Sequence, residues 1–195
     1  MRDIWYADNR DLVKWAVLFI LAKKFKAEMI FQIAYYSQSD FGKIRINGKA
    51  MEIPNEVISH FRNILNIKNI GSPIKVRVFK EIFKKEGRKE YHNKAMKQYP
   101  KQRCIVFLDP DIGLERKVNA NLGHVLKEEA KIIWDKTKLG DVFVLYQHHT
   151  HRSRWIERKR LQLERVLGAP RGSVKIAKGI KIARDVVFFY IQRVK

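Results

Sequence analysis

Cys104-Ile105-Val106-Phe107-Leu108-Asp109-Pro110-Asp111 is the stretch on which the fold of this chain turns. Five apolar residues in succession have strand length and no polar alternation, which is the pattern of a strand covered on both faces. The run stops at an acid-proline-acid triplet. In open α/β sheets, ligands gather outside the carboxyl ends of the strands, so two carboxylates directly after a buried strand fall in the functional crevice. The competing reading is a plain turn, since Asp and Pro are common turn formers.

Two further runs match the first: residues 29–36 (M-I-F-Q-I-A-Y-Y) and 142–146 (V-F-V-L-Y). Helical segments separate them. Asp8 caps a first helix and Asp11 reaches back to it. Residues 12–22 are apolar except for Lys14 and so predict a largely buried helix. Asn47-Gly48 sets a hairpin over 43–53, an insertion in the domain. Pro54 and Asn55 open a helix with Val57, Ile58, Phe61, Ile64 and Leu65 on one face. Residues 74–79 alternate as a strand, and 80–99 read as a basic, partly exposed helix. A polar loop to about residue 122 precedes a helix over 123–137 and a turn at Gly140-Asp141. Ser153 caps a basic amphipathic helix that closes at Gly168-Ala169-Pro170. Residues 173–183 and 186–192 pair antiparallel. The expected fold is one α/β domain over 1–195: a mostly parallel Rossmann-like sheet flanked by helices, with a C-terminal antiparallel hairpin.

Charge is distributed unevenly. Of a formal +21, residues 75–103 carry a net +8 and residues 152–195 a net +10, flanking a stretch over 104–151 that is slightly acidic. A lysine-rich surface of the thermophile kind would balance its lysines with glutamates, and this one does not. Clustered, uncompensated cations are the footprint of a phosphate-backbone binder, so DNA or RNA is the expected partner. The lone Cys104 excludes an intramolecular disulfide framework and a cysteine zinc site. The longest apolar run, residues 15–22, is far short of the about 20 residues that span a bilayer. No leader pattern opens the chain, and a cytoplasmic protein away from membranes is expected.

Three constellations can carry chemistry. Asp109 and Asp111, with Glu115 close behind, can orient an amine or a ribose, or hold Mg²⁺ for phosphoryl chemistry. The letters from Pro110 to Lys117 also spell a PD-(D/E)xK nuclease, but three intervening residues leave no room for a strand-to-strand return. His148, His149 and His151 follow the third strand, beside Gln147, Arg152 and Arg154. They can supply a base near neutral pH, touch phosphates, or ligate a transition metal. Asn9, Asp11 and Lys14 share the start of the first helix, where Asp11 and Lys14 are spaced for an ion pair. Lys14, set among apolar residues, needs a partner or an exit to solvent. Tyr91, His92, Tyr99 and Trp155 lie among lysines and arginines, as stacking plus phosphate contact requires.

A buried helix starting at Asn-Arg-Asp-Leu-Val-Lys-Trp, alternating strands and helices, Asp109-Pro110-Asp111-Ile112 after C-I-V-F-L and a C-terminal hairpin together resemble the class I S-adenosylmethionine-dependent methyltransferases. Within that superfamily the likeness is nearest to ribosomal RNA adenine-N6 methyltransferases and three-Cys-motif partner proteins. The resemblance implies that Asp109 and Pro110 match half of an Asp-Pro-Pro-Tyr catalytic motif, and that Asn9, Asp11 and Lys14 belong to the opening helix. The leading expectation that combines this resemblance with the strand-end and charge readings is S-adenosylmethionine at Tyr36 and Asp40, catalysis by Asp109, Asp111 and His148, and a nucleic-acid substrate held by Asn9, Asp11, Lys14, Gln147, Arg152 and Arg154. Asp111 and Ile112 replace the Pro and the aromatic of that motif, and no glycine-rich turn follows the first strand. The alternatives are a metal-dependent nuclease or phosphodiesterase with Mg²⁺ on Asp109, Asp111 and Glu115, and a non-catalytic nucleic-acid-binding module.

Overall fold

The computed structural model describes residues 6–38, 42–115 and 121–194. In chain order the elements are α1 (Asn9–Lys24), β1 (Met29–Ile33), the hairpin strands β2 (Lys43–Ile46) and β3 (Lys49–Glu52), α2 (Asn55–Arg62) and β4 (Lys75–Phe79). There follow α3 (Arg88–Lys97), β5 (Cys104–Leu108), the short pair β6 (Gly113–Leu114) and β7 (His124–Val125), and α4 (Lys127–Lys136). β8 (Val142–His148), α5 (Trp155–Leu167), β9 (Lys175–Gly179) and β10 (Ala183–Gln192) complete the chain.

The main sheet has six strands in the order β4-β1-β5-β8-β10-β9. β4, β1, β5 and β8 run parallel, and β10 is antiparallel to both β8 and β9. The three apolar runs, broken only by Gln32 in β1, are therefore neighbours, each buried on both faces. Alternation sorts their side chains. Ile30, Ile105, Phe107, Val142, Val144 and Phe188 pack with α1, while Phe31, Ile33, Val106, Phe143, Leu145 and Phe189 pack with residues of α3, α4 and α5. Each such aromatic or branched side chain contributes roughly 1.5–3 kcal/mol on burial. The chain leaves β1 to build β4 on one flank, then crosses back to build β5 on the other. The order thus reverses between β1 and β5, where such sheets open a crevice.

Local signals held in several places. Asp8 is the N-cap of α1 and accepts from the backbone N–H groups of Arg10 and Asp11. Asp11 reaches back one residue further than expected, to the N–H of Ala7 at 2.9 Å. Asn47 and Gly48, at φ 51° and 80°, make the hairpin turn. Gly168, left-handed at φ 65°, ends α5.

Other expectations need correction. α1 is not buried throughout: Leu12 is 58% and Ile20 64% exposed, because a helix against one sheet face has an outer side. α2 stops at Arg62 and continues as a 3-10 turn over Ile64–Asn69, so the apolar face expected from Val57 to Leu65 is broken. α3 begins only at Arg88, after Gly87 at φ 91°, and buries Tyr91, His92 and Ala95. The expected helix over 123–137 begins at Lys127, because His124 and Val125 pair with Gly113 and Leu114 instead. Ser153 does not cap α5. Arg154, left-handed at φ 51°, holds the N-cap position without a side-chain hydrogen bond. Among the described residues no helix is long and apolar enough to cross a membrane.

Candidate functional site: a buried polar cluster and a cationic groove

Parity along β1 and β5 points Gln32 and Asp109 to the α1 side of the sheet, and α1 presents Lys14 there. The Lys14 ammonium lies 2.5 Å from Asp11 Oδ1 and 2.9 Å from Asp109 Oδ2. Gln32 Nε2 donates to the same Asp109 oxygen at 2.7 Å. All four side chains are buried. Burial pulls the Lys14 ammonium toward neutrality, but the Asp109 and Asp11 carboxylates outweigh it and hold its pKa above the usual lysine value. Burial in turn raises the Asp109 carboxyl, against the opposing charge of Lys14. Tyr146 lies under the ammonium, 5.7 Å from nitrogen to ring centre.

Next to this cluster, Asp185 accepts from Arg10 at 2.6 Å and lies 3.1 Å from Nε2 of His148. The Arg10 guanidinium overcomes the effect of burial and keeps the Asp185 carboxyl below the ordinary value. α1 is thereby tied to the carboxyl ends of β5 and β8 at once.

Gln147 sits on the other face. Its carboxamide accepts from the N–H of Leu114 at 3.0 Å and donates to the carbonyls of Ile112 and His148 at 2.9 and 2.8 Å. It is a clamp on the loop after Asp109. Gly113, at φ 120°, lies so close that an added methyl would run into this carboxamide. Asp111 is half-exposed on that loop, and Asn9 is exposed at the start of α1. Glu115 faces α4, accepting from the N–H of Lys127 at 2.9 Å. Among the described residues no three metal-ligating side chains converge, so Asp109, Asp111 and Glu115 do not form a common cage. Tyr36 is buried beyond β1, with the Lys80 ammonium 5.1 Å from its ring centre. Asp40 lies outside the described residues.

The second feature is a groove of about 750 Å³ between α4 and α5. Lys127, Lys131, Arg152, Arg158, Lys159 and Arg165 line it against a single acid, Glu128, with Trp155 in its wall. α4 and α5 both start at the carboxyl end of the sheet, so the positive ends of two helix dipoles add to this charge. Lys159 is buried and donates to the carbonyls of Leu114 and Glu115. By contrast Arg152, Arg158 and Arg165 are exposed, and among the described residues no carboxylate lies within ion-pair distance of them. His149 stacks edge-on against Trp155 and His151, at 5.2 and 5.4 Å between ring centres. Arg154 is exposed at the mouth of α5.

The loop after β8 joins the two features. His148 pairs into the sheet-end cluster while Arg152, four residues on, lines the groove, a Cα separation of at most about 14 Å. Of the residues marked in the sequence, Asp11, Lys14 and Asp109 come together, with His148 beside them. Gln147 is separated from them by the sheet. Tyr91 and His92 are internal: the His92 ring lies 2.7 Å from the Tyr35 hydroxyl and 2.6 Å from the Arg88 carbonyl. Sequence reasoning missed Gln32, Arg10 and Asp185. Gln32 had a signal, as the one polar residue in M-I-F-Q-I, and Asp185 is the only acid after Glu164.

The chain has no significant match among protein-family models, curated proteins or solved structures.

Proposed function

We propose that this protein binds nucleic acid through the groove between α4 and α5. The observation that carries this reading is a set of exposed guanidinium groups, Arg152, Arg158 and Arg165, around Trp155, with no carboxylate of the described residues within ion-pair distance. Arginines without carboxylate partners are free to take phosphate oxygens, and an indole in the wall offers a face for an unstacked base. The +10 of residues 152–195 supplies the long-range field that gathers a polyanion. The test is fluorescence anisotropy of labelled oligonucleotides across a salt series. Affinity is expected to fall steeply with salt, and R152E/R158E/R165E to flatten the log–log slope by about 2–3. A slope unchanged by the triple variant defeats the reading.

A second reading, a methyltransferase-like enzyme, is favoured by the reversal of strand order between β1 and β5, with Asp109 directly beyond. S-adenosylmethionine would supply an electrophilic methyl group there. The described residues fit it poorly. Tyr35, left-handed at φ 46°, occupies the turn where a glycine would admit a cofactor, and its ring is buried among Phe83, Tyr91 and His92. Asp109 is already committed to Lys14 and Gln32. Isothermal titration decides the matter: heat on adding S-adenosylmethionine restores the enzyme reading, and none at millimolar ligand retires it.

A further inference from the structure

The hairpin β2–β3 stands apart from the six-stranded sheet, and all eight of its strand residues are exposed. Its register pairs Lys43 with Glu52, Ile44 with Met51, Arg45 with Ala50 and Ile46 with Lys49. Alternation therefore puts Ile44, Ile46 and Met51 on one face, with Lys49 at the turn. Lys43 and Arg45 stand on the other. The three apolar side chains are 49%, 52% and 49% exposed. A two-stranded ribbon is marginally stable alone, and one that holds an apolar face to water has a use for it. Three cations against one acid, in a chain of +21, set the sign of the partner.

We propose that this ribbon is a DNA-reading arm that enters the major groove of a B-form duplex. The inference rests on the nucleic-acid reading above and names the substrate class. A four-residue strand extends about 13 Å, and a groove about 12 Å wide admits a two-stranded ribbon. The deep, narrow major groove of duplex RNA does not. Ile44, Ile46 and Met51 face the base edges and thymine methyls. Arg45 and Lys49 reach the phosphates that wall the groove, and Lys43, whose ammonium lies 3.0 Å from the exposed Glu52 carboxylate across the ribbon, exchanges that partner for a phosphate.

The test compares a 20-base-pair DNA duplex, the matching RNA duplex and a single strand, over a salt series, with wild type, K43E/R45E/K49E, and a chain in which a short Gly-Ser loop replaces residues 43–52. Wild type is expected to prefer the DNA duplex. Both ribbon variants should lose about tenfold or more of duplex affinity at fixed salt and flatten its slope by about 2–3, with single-strand binding unchanged. Circular dichroism should show both variants folded, since the ribbon lies outside the main sheet. Ribbon variants that match wild type on duplex DNA, while R152E/R158E/R165E loses binding, overturn the arm and leave the groove intact. A preference for duplex RNA also overturns the arm. A wild-type chain that binds none of the three overturns both proposals.

Discussion

Lys14 and Arg158 carry the same unit charge near the same end of the sheet. Lys14 is 4% exposed and shares its ammonium between Asp11 and Asp109, whereas Arg158 faces an open groove with no carboxylate within reach among the described residues. Taking a cation out of water costs several kcal/mol unless carboxylates meet it in good geometry. At Lys14 they do, and the charge is spent inside the protein as an anchor between α1 and β5. At Arg158 no carboxylate of the described residues meets the charge, and solvent or a ligand can. Cationic residues thus divide into those that hold the fold and those that remain available, and sequence position alone does not tell them apart.

The largest effect should come from breaking the buried side. Lys14→Met leaves Asp11 and Asp109 uncompensated in a dry site, and urea unfolding should show a loss of about 3–5 kcal/mol. Adding Asp109→Leu should return part of that loss, because an apolar pair of similar volume needs no solvation. A single variant as stable as wild type would show that water reaches the cluster.

A smaller effect tests whether burial also governs the network on the opposite face. Burial lowers the His92 pKa below 6.5, despite the nearby Glu129. The Arg88 carbonyl can only accept, so Nδ1 carries the proton and Nε2 accepts from the Tyr35 hydroxyl. A depressed histidine pKa means the unfolded chain binds the proton first as pH falls. Its contribution is therefore complete above about pH 6.5 and declines below it, toward the folded value. Melting temperatures from pH 8 to pH 5 should fall across that window, and His92→Gln should flatten the change. A wild-type profile as flat as the variant's would count against the neutral, hydrogen-bonded imidazole.

The smallest effect on stability belongs to the groove. Arg158→Ala should change unfolding free energy by no more than about 0.5 kcal/mol, since the side chain is exposed and meets no carboxylate among the described residues. The same substitution should lower the salt slope of oligonucleotide binding by about 1. A large loss of stability with no change in slope would place Arg158 with Lys14, as a structural cation.

Much of the architecture could be read from local pattern. Apolar runs marked β1, β5 and β8, Asp8 marked the start of α1, and Asn47-Gly48 marked the ribbon turn. The extent of α3 and the pairing of β6 with β7 were not legible. The mostly polar stretch over 80–87, with Ile82 and Phe83 its only apolar residues, and two-residue strands carry no periodicity to detect. Of the candidate site, the Asp11–Lys14 pair was visible as a three-residue spacing, and Lys14 was marked as needing a partner. That the partner is Asp109, 95 residues away, was not visible.

The sequence by itself therefore determined the strand runs, the first helix cap, the ribbon turn and the excess of positive charge, because each depends on residues within a few positions of one another. Only the tertiary structure decided which charges are neutralised and which stay open. That outcome depends on where α1 lies across β1 and β5, and on how far apart α4 and α5 stand, and both are settled by packing between residues far apart in the chain.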